Sequence, residues 1–336
     1  MDKSQIKELL SKGRKIAIIA HRNPDGDAIG SGLGLHHFLV SEGHQVTTLM
    51  PTDYPKFLKW MPGNDDVIRF DNAKESFEKA LNDSEILFCL DFNTTSRVGD
   101  AEEAILGFEG VKIMIDHHPQ PDDYADHLMS DVTASSTAEL IMRFIHLMDC
   151  SVPNVKCANC LYTGILTDSG SFRFPNTSAQ THRYVAEMMD AGLDHSYVYD
   201  QIFNRTTEGR LRLLGHSVSE KLKVIQDHHT AFINLSLKDK QRFNFQKGDT
   251  EGTVNQPLSI EGIIFSAIFI EDPDKVKISF RSIGDFDVNQ FARKHFSGGG
   301  HRNAAGGMSE LSLNDTLEQF QSILLGYKEE LDRCAR

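Results

Sequence analysis

The sequence predicts an α/β protein with an N-terminal parallel sheet, helices on both of its faces, and a smaller C-terminal α/β domain. Three observations carry that expectation. Short apolar runs alternate with helical patterns through the first half. The pattern then changes around residues 193–228, where a helical connector is expected between a domain over 1–192 and another over 229–336. Beyond it, strand-like runs are grouped, and a glycine-rich stretch precedes a final helix. A chain of 336 residues is long enough for two sizeable cores.

In order, "KIAIIA" (15–20) is a continuous apolar run that leads into His21. A helix-like stretch, "DAIGSGLGLHHFLVSEG", follows and closes at Gly43, ahead of "QVTTLM" (45–50). "EILFCLD" (85–91) and "VKIMID" (111–116) are further apolar runs, ending at Asp91 and Asp116. Runs of this kind read as strands buried on both faces. Residues 136–148, 158–168 and 177–192 read mainly as helices. Leu211, Leu214, Val218, Leu222 and Ile225 recur at three- and four-residue spacing, which predicts one amphipathic connector helix. "TAFINLS" (230–236), "GIIFSAIFI" (262–270) and "KVKISFRS" (275–282) read as strands. A helix from Val288 to Phe296 leads into "SGGGHRNAAGG" (297–307), and a last helix begins near 313.

The composition is 40% hydrophobic and 25% charged, with no apolar run near bilayer length. The start, "MDKSQIKELLSKGRK", is polar, so neither a signal peptide nor a membrane anchor is expected. Five cysteines, an odd number, point to a reducing compartment and a cytoplasmic protein. "CANC" (157–160) has the spacing of half a zinc site, but no second pair completes it, and ordinary buried thiols are expected. The net charge of −13 argues against a protein that coats long nucleic acid through its phosphates. It does not argue against a small phosphorylated substrate, because carboxylates that hold divalent cations count as negative in that sum.

Asp-His-His occurs twice, in "IMIDHHP" (113–119) and "VIQDHHT" (224–230). The first copy ends a buried strand, as His21 and Asp91 do, and parallel sheets bind ligands beyond the carboxyl ends of their strands. The second copy falls at the end of the expected connector helix, where His228 and His229 suit a helix C-terminus and need no metal. "HRNPDGD" places His21, Asp25 and Asp27 on a turn that can aim two carboxylates at different points. The plain alternative is a turn into a helix capped by Asp27. The glycines of "GSGLG" fall at 30, 32 and 34, which is not a dinucleotide fingerprint. They are expected to let a helix approach the sheet closely.

Taken together, "HRNPDGDAIGS" (21–31), the Asp91 strand, "DHH" (116–118), "TGILTDSGSF" (163–172) and "GGGHRNAAGG" (298–307) closely resemble the DHH phosphoesterases. The resemblance is to the subgroup that joins a DHH domain to a DHHA1 domain, the bacterial nanoRNases that act as oligoribonuclease and pAp phosphatase. It implies two Mn²⁺ ions, one held by His21, Asp25 and Asp91 and the other by Asp27, Asp91, His117 and Asp168. A nitrogen and oxygen donor set also admits Mg²⁺, Co²⁺ or Fe²⁺. Two cations about 3.5–4 Å apart would share a hydroxide that attacks phosphorus in line. His118 would contact the phosphoryl or leaving oxygen and protonate it, while Asp116 orients a neighbouring His.

The C-terminal domain is expected to grip substrate. Gly298, Gly299 and Gly300 would form a phosphate nest. His301 adds a donor, and Arg281 could clamp a phosphate. Phe172 and Phe174 could stack a base or fill the core. The expected reactions are hydrolysis of RNA of about two to five nucleotides to mononucleotides, since a closed cleft limits substrate size, and of pAp to AMP. The resemblance also implies a homodimer. One metal core serves several substrates, so hydrolysis of pApA or a cyclic dinucleotide, and cleavage of polyphosphate or pyrophosphate, stay open. A nucleotide-sensing module without turnover is the non-enzymatic alternative.

Overall fold

Continuous apolar runs make strands that need cover on both faces, and the computed structural model, which describes residues 1–335, provides it. Contacts divide the chain into Met1–Arg205 and a second unit starting at Thr206. In the first unit α1 (Lys3–Leu9) precedes β1 (Lys15–Ala20), α2 (Gly26–Ser41) and β2 (Gln45–Met50). Next come β3 (Ile68–Arg69), α3 (Phe70–Asn82), β4 (Ile86–Leu90), α4 (Glu102–Leu106), β5 (Val111–Asp116) and β6 (His127–Ser130). Helices α5 (Thr137–Leu147), α6 (Val155–Asp168), α7 (Ala179–Asp190) and α8 (His195–Tyr199) complete the unit.

The six strands are all parallel, in the order β3-β2-β1-β4-β5-β6. Alternate side chains face opposite cores. Ile16, Ile18, Phe88, Leu90, Ile113 and Ile115 pack with α2, α5 and α6, whereas Ala17, Ile19, Leu87, Cys89 and Met114 pack with α3 and α4. The chain winds outward from β1 through β2 to β3, then returns to place β4 on the other side of β1. That reversal is a topological switch point, and His21 and Asp91 directly follow its two strands.

The glycines of α2 turn chiefly toward another helix, not toward the sheet as expected. A Cβ on Gly26 would lie 2.3 Å from Thr167 Oγ1, on Gly30 2.6 Å from the Cys160 carbonyl oxygen, and on Gly34 2.3 Å from Leu161. All three contacts belong to α6, whose own Gly164 would strike Ala138 and Asp27. Gly32 meets Met50, Thr48 and Ile18 of the sheet. Asp25, not Asp27, caps α2, accepting from the Asp27 and Ala28 amides.

The second unit holds α9 (Glu208–Ser219), β7 (Leu222–Ile225), β8 (Thr230–Leu235), α10 (Leu237–Arg242), β9 (Phe265–Glu271) and β10 (Val276–Ser282). It continues through α11 (Val288–His295), β11 (Gly299–His301), β12 (Ala304–Ser309), α12 (Leu313–Leu325) and α13 (Lys328–Cys334). Its sheet is mixed, in the order β11-β12-β10-β9-β8-β7, with only the β8–β9 pair parallel. Phe265, Phe280, Phe291 and Phe320 form the centre of its core through edge and tilted ring contacts.

The amphipathic connector ends at Ser219, earlier than the spacing suggests. Leu222 and Ile225 belong to β7, which pairs antiparallel with β8. Cross-strand pairing, absent from any local window, overrides the helical period there. The second Asp-His-His therefore sits on the single 3-10 turn of a hairpin and not at the end of α9. His229 has φ 48° and its Nδ1 lies 2.8 Å from the Gly262 carbonyl. Among the described residues, no helix is long and apolar enough to cross a membrane.

The α2–α6 contact leaves no space for a methyl group on main-chain neighbours that cannot rotate away. Gly30→Ala is therefore expected to lower unfolding stability by about 2 kcal/mol, since overpacking costs about 1–3 kcal/mol and outweighs the helix propensity Ala gains. At Gly215, in the interior of α9, an added Cβ meets nothing within 4 Å. Gly215→Ala should be neutral or stabilise by about 0.5–1 kcal/mol. Urea titrations of both variants read this contrast, and equal midpoint shifts would contradict it.

Candidate metal centre

His21 is the first residue after β1. Its Nδ1 lies 2.8 Å from the Arg22 carbonyl oxygen, which fixes that nitrogen as the N–H and leaves Nε2 with its lone pair. Nε2 faces Asp91 Oδ2 at 3.3 Å and Asp25 Oδ2 at 3.8 Å. Asp25 thus divides its carboxylate, one oxygen capping α2 and the other turned to His21.

Asp27 points the opposite way, into the protein. Its two oxygens accept from the Thr137 and Ala138 amides, at 2.6 and 2.9 Å, at the first turn of α5. A helix N-terminus is a favourable place for a carboxylate, and the bonds fix Asp27's rotamer. From the end of α6, Asp168 brings Oδ2 to 3.5 Å from His117 Nε2. The same nitrogen is 3.5 Å from Asp91 Oδ1 and 3.9 Å from Asp27 Oδ2.

Asp91 is the common member. It follows β4 with φ 62°, a left-handed conformation that Asp tolerates better than most residues but that still costs energy. Its Oδ1 faces His117 and accepts from Thr137 Oγ1 at 3.0 Å, while Oδ2 faces His21. Asp116 is fully buried and receives His118 twice, from Nδ1 at 2.8 Å and from the backbone N–H at 3.1 Å.

Possible ligand atoms fall into groups within 4.8 Å: His21, Asp25 and Asp91; Asp27, His117 and Asp168; and Asp91, Asp116 and His118. The separations of 3.3–3.9 Å around His21 and His117 exceed those of good N–H···O bonds. They leave room for a cation held by nitrogen and oxygen, and a donor set without thiolate suits a hard or borderline divalent ion. The structure thus gathers all eight of the site residues expected from the first unit.

The expected substrate-binding residues lie in the second unit. Arg281 is on β10 and donates through Nη1 to the Phe280 carbonyl. Gly299, Gly300 and His301 form β11, paired with β12, so this run is a strand and not an open loop. Cβ atoms on Gly298 and Gly300 would fall 2.0 and 2.5 Å from the Gly306 and Ala304 carbonyl oxygens. Gly300 N–H is taken by Asn289 Oδ1 at 2.9 Å. Phe172 packs between Tyr162 and His182, and Phe174 lies against Gly170.

Sequence reasoning missed Thr137, which holds Asp91, and the α5 amides that hold Asp27. A signal was present: Ser136 followed three residues later by Glu139 marks a helix start, and Ser136 does cap α5. It also missed Arg97, whose charge acts on His21, Asp116 and His118.

Comparison with known proteins agrees with this geometry. Residues 15–165 match the DHH family N-terminal domain, and residues 229–329 match the DHHA1 domain. The chain is 30% identical over 312 residues to a probable bifunctional oligoribonuclease and PAP phosphatase NrnA of Streptococcus mutans, covering 92% of this chain and 94% of that protein. It belongs to the DHH family. A bifunctional oligoribonuclease and PAP phosphatase NrnA of Thermus thermophilus is likewise 30% identical, over 95% of this chain and 91% of that protein. The crystal structure of an exopolyphosphatase-related protein from Bacteroides fragilis superposes with a TM-score of 0.93 at 38% identity, covering 98% of this chain and 97% of that one.

Electrostatically, the DHH domain holds more buried carboxylate than its histidines can comfortably neutralise. Burial raises the Asp27 carboxyl, and the charges of Asp91 and Asp168 push it well above the usual range. Burial also opposes ionisation of Asp91, but the facing imidazoles of His117 and His21 outweigh it and hold that carboxyl well below the usual range. His117 is pulled down by burial yet ends well above 6.5, because Asp91, Asp168 and Asp27 surround it. His21 is raised in the same way by Asp91 and Asp25 against burial. His118 goes the other way, to about 3, through burial and the nearby positive charges of Arg97, His117 and His21. Burial and the Asp91 charge raise Asp116 to about 6.

A cation entering the His117 group must therefore displace a proton. Mn²⁺ added to metal-stripped protein in weak buffer at neutral pH should acidify the solution. Its apparent affinity should rise with pH from neutrality upward, because His117, held well above its usual range, gives up its proton only as pH increases. A pH-stat titration measures both, and uptake without proton release would contradict the protonation described here.

Proposed function

We propose that this DHH-family chain is a metal-dependent phosphoesterase that hydrolyses short RNA oligonucleotides to mononucleotides and 3′-phosphoadenosine 5′-phosphate to AMP. The observation that carries the chemistry is Asp91, whose two oxygens face two separate groups of ligand-capable side chains. The substrate reading is supported by end-to-end likeness to proteins named for both activities.

In this reading His21, Asp25 and Asp91 hold one Mn²⁺, and Asp27, Asp91, His117 and Asp168 hold the other. When bound, the cations would lower the pKa of a water and stabilise charge on the phosphoryl oxygens. The α5 amides and Thr137 hold the Asp27 and Asp91 carboxylates in place. His118 presents Nε2 to the substrate, since Nδ1 is committed to Asp116. With its pKa near 3, His118 is neutral at pH 7 and becomes a proton donor only once a substrate's negative charge stabilises its cation. Arg281 and His301 bind phosphate oxygens in the same proposal, whereas the Gly298 and Gly300 amides, bonded to the Ala292 carbonyl oxygen and Asn289 Oδ1, do not form the expected open nest.

His118→Ala should retain both metals by elemental analysis while kcat falls by about 10²–10⁴, the usual worth of a positioned proton donor. Unchanged turnover would remove His118 from the chemistry. Asp116→Asn should cost about 10–100-fold, as the loss of an orienting partner does.

The Bacteroides fragilis likeness supports a second reading, cleavage of polyphosphate. A time course with Mn²⁺ separates the two, using a 5′-phosphorylated RNA dinucleotide, pAp, a long RNA and short-chain polyphosphate, with Asp91→Ala as control. Mononucleotides from the dimer, AMP from pAp, little loss of long RNA and no activity in Asp91→Ala are expected. Fast polyphosphate cleavage with inert nucleotides would overturn the substrate assignment.

A further inference from the structure

The second unit has an unusual charge distribution for a chain with net charge −13. Between residues 206 and 247, Lys and Arg outnumber Asp and Glu by eight to four. Within this stretch lies an open cavity of about 320 Å³, lined by Arg212, Gly215, His216, Glu220, Arg242 and Phe243 among others. That volume is at the lower end for small-molecule sites. We propose that this face, between α9 and the end of α10, is a second anion site that takes a phosphate monoester.

His216 stands at its centre. The residue is buried, with 6% of its surface exposed, and Nε2 bonds Asp239 Oδ1 at 2.8 Å. Asp239 is kept ionised: burial raises its pKa, but Lys221 and Ser236 hydrogen bonds outweigh that and lower it strongly. Nε2 is therefore an N–H donor. The other ring nitrogen, Nδ1, is buried without a hydrogen-bond partner. The Glu220 carboxylate, also lining the cavity, reaches 3.3 Å from it without making a hydrogen bond. Glu220 is more than half exposed and free to swing away, so its carboxylate marks where an incoming anion would meet the ring.

Two guanidinium groups flank that position. Arg212 is tied to Glu208 at 2.7 Å, but both side chains are mostly exposed, and such pairs hold weakly. Arg242 lies over the Phe243 ring, 5.0 Å from its centroid, which leaves the edge of its guanidinium for a ligand. Planar guanidinium forks match phosphate oxygens, and two of them disfavour a cation here. Gly215 leaves the floor open, since a Cβ there meets nothing within 4 Å. A phosphate that displaces Glu220 gains both arginines, and the hydroxyl of a monoprotonated phosphate can donate to the unpartnered His216 Nδ1.

The test is calorimetric titration of the metal-stripped, full-length protein with inorganic phosphate and, separately, AMP. Wild type, Arg242→Ala, Arg212→Ala and Glu220→Gln are compared, with thermal melts confirming that each is folded. Each arginine variant should bind about tenfold more weakly, the usual loss of a charged hydrogen bond. Glu220→Gln should bind several-fold more tightly, because a competing charge is removed. Turnover of pAp at low phosphate should be the same in Arg242→Ala as in wild type. Tighter binding of AMP than of phosphate would support a nucleotide as the monoester, and equal binding would assign the site to the phosphate alone. Identical affinities in all four proteins would overturn the site. So would Zn²⁺ binding that is lost in Glu220→Gln while phosphate does not bind.

Discussion

The close approach of α2 to α6 is the constraint on which the metal centre depends. Gly30 lets main-chain atoms of the two helices nearly touch, and Gly26 and Gly34 admit the Thr167 and Leu161 side chains of α6. Because α2 begins where α6 ends, this contact brings Asp27 and Asp168 to the same nitrogen, Nε2, of His117. Helix-interior glycine is unfavourable by about 1 kcal/mol per residue relative to alanine. The stretch is helical because tertiary packing more than offsets that cost.

The sheet supplies the other half of the arrangement. His21 and Asp91 leave adjacent parallel strands at the point where strand order reverses, and Asp116–His118 leave the next strand. Strand ends are rigid, so side chains there hold spacing better than loop residues would. The cost is electrostatic: Asp27, Asp91 and Asp116 are all buried, and the Asp91 charge opposes ionisation of the other two. A proton on His117, which is held well above its usual range, relieves part of that repulsion. A divalent cation relieves more of it, which is why the same crowding that destabilises the empty cluster favours metal uptake.

The second unit uses glycine differently. At Gly298 and Gly300 the missing side chains allow β11 to lie directly against its partner strand. The strand pairing itself uses much of the main-chain hydrogen-bonding capacity of this run, and Asn289 takes the Gly300 amide. Whatever phosphate binding occurs here relies more on His301 and Arg281 than an open nest of amides would require.

The sequence by itself determined the long apolar strands β1, β4, β5, β8, β9 and β10, the order of the motifs and the ligand-capable residues at strand ends. These are local properties: an apolar run of strand length and an Asp or His at its carboxyl end are visible in a short window. Only the tertiary structure decided what those residues meet. Asp27 bonds amides 110 and 111 residues away, and no local pattern encodes that pairing. The same is true of the glycines, whose spacing showed a close approach but not whether sheet or helix made it. Leu222 and Ile225 kept a helical period and became a strand because β8 offered hydrogen bonds along its edge. The second Asp-His-His shows the limit most clearly, since identical letters at a strand end and on a hairpin turn have different neighbours, and the neighbours decide the chemistry.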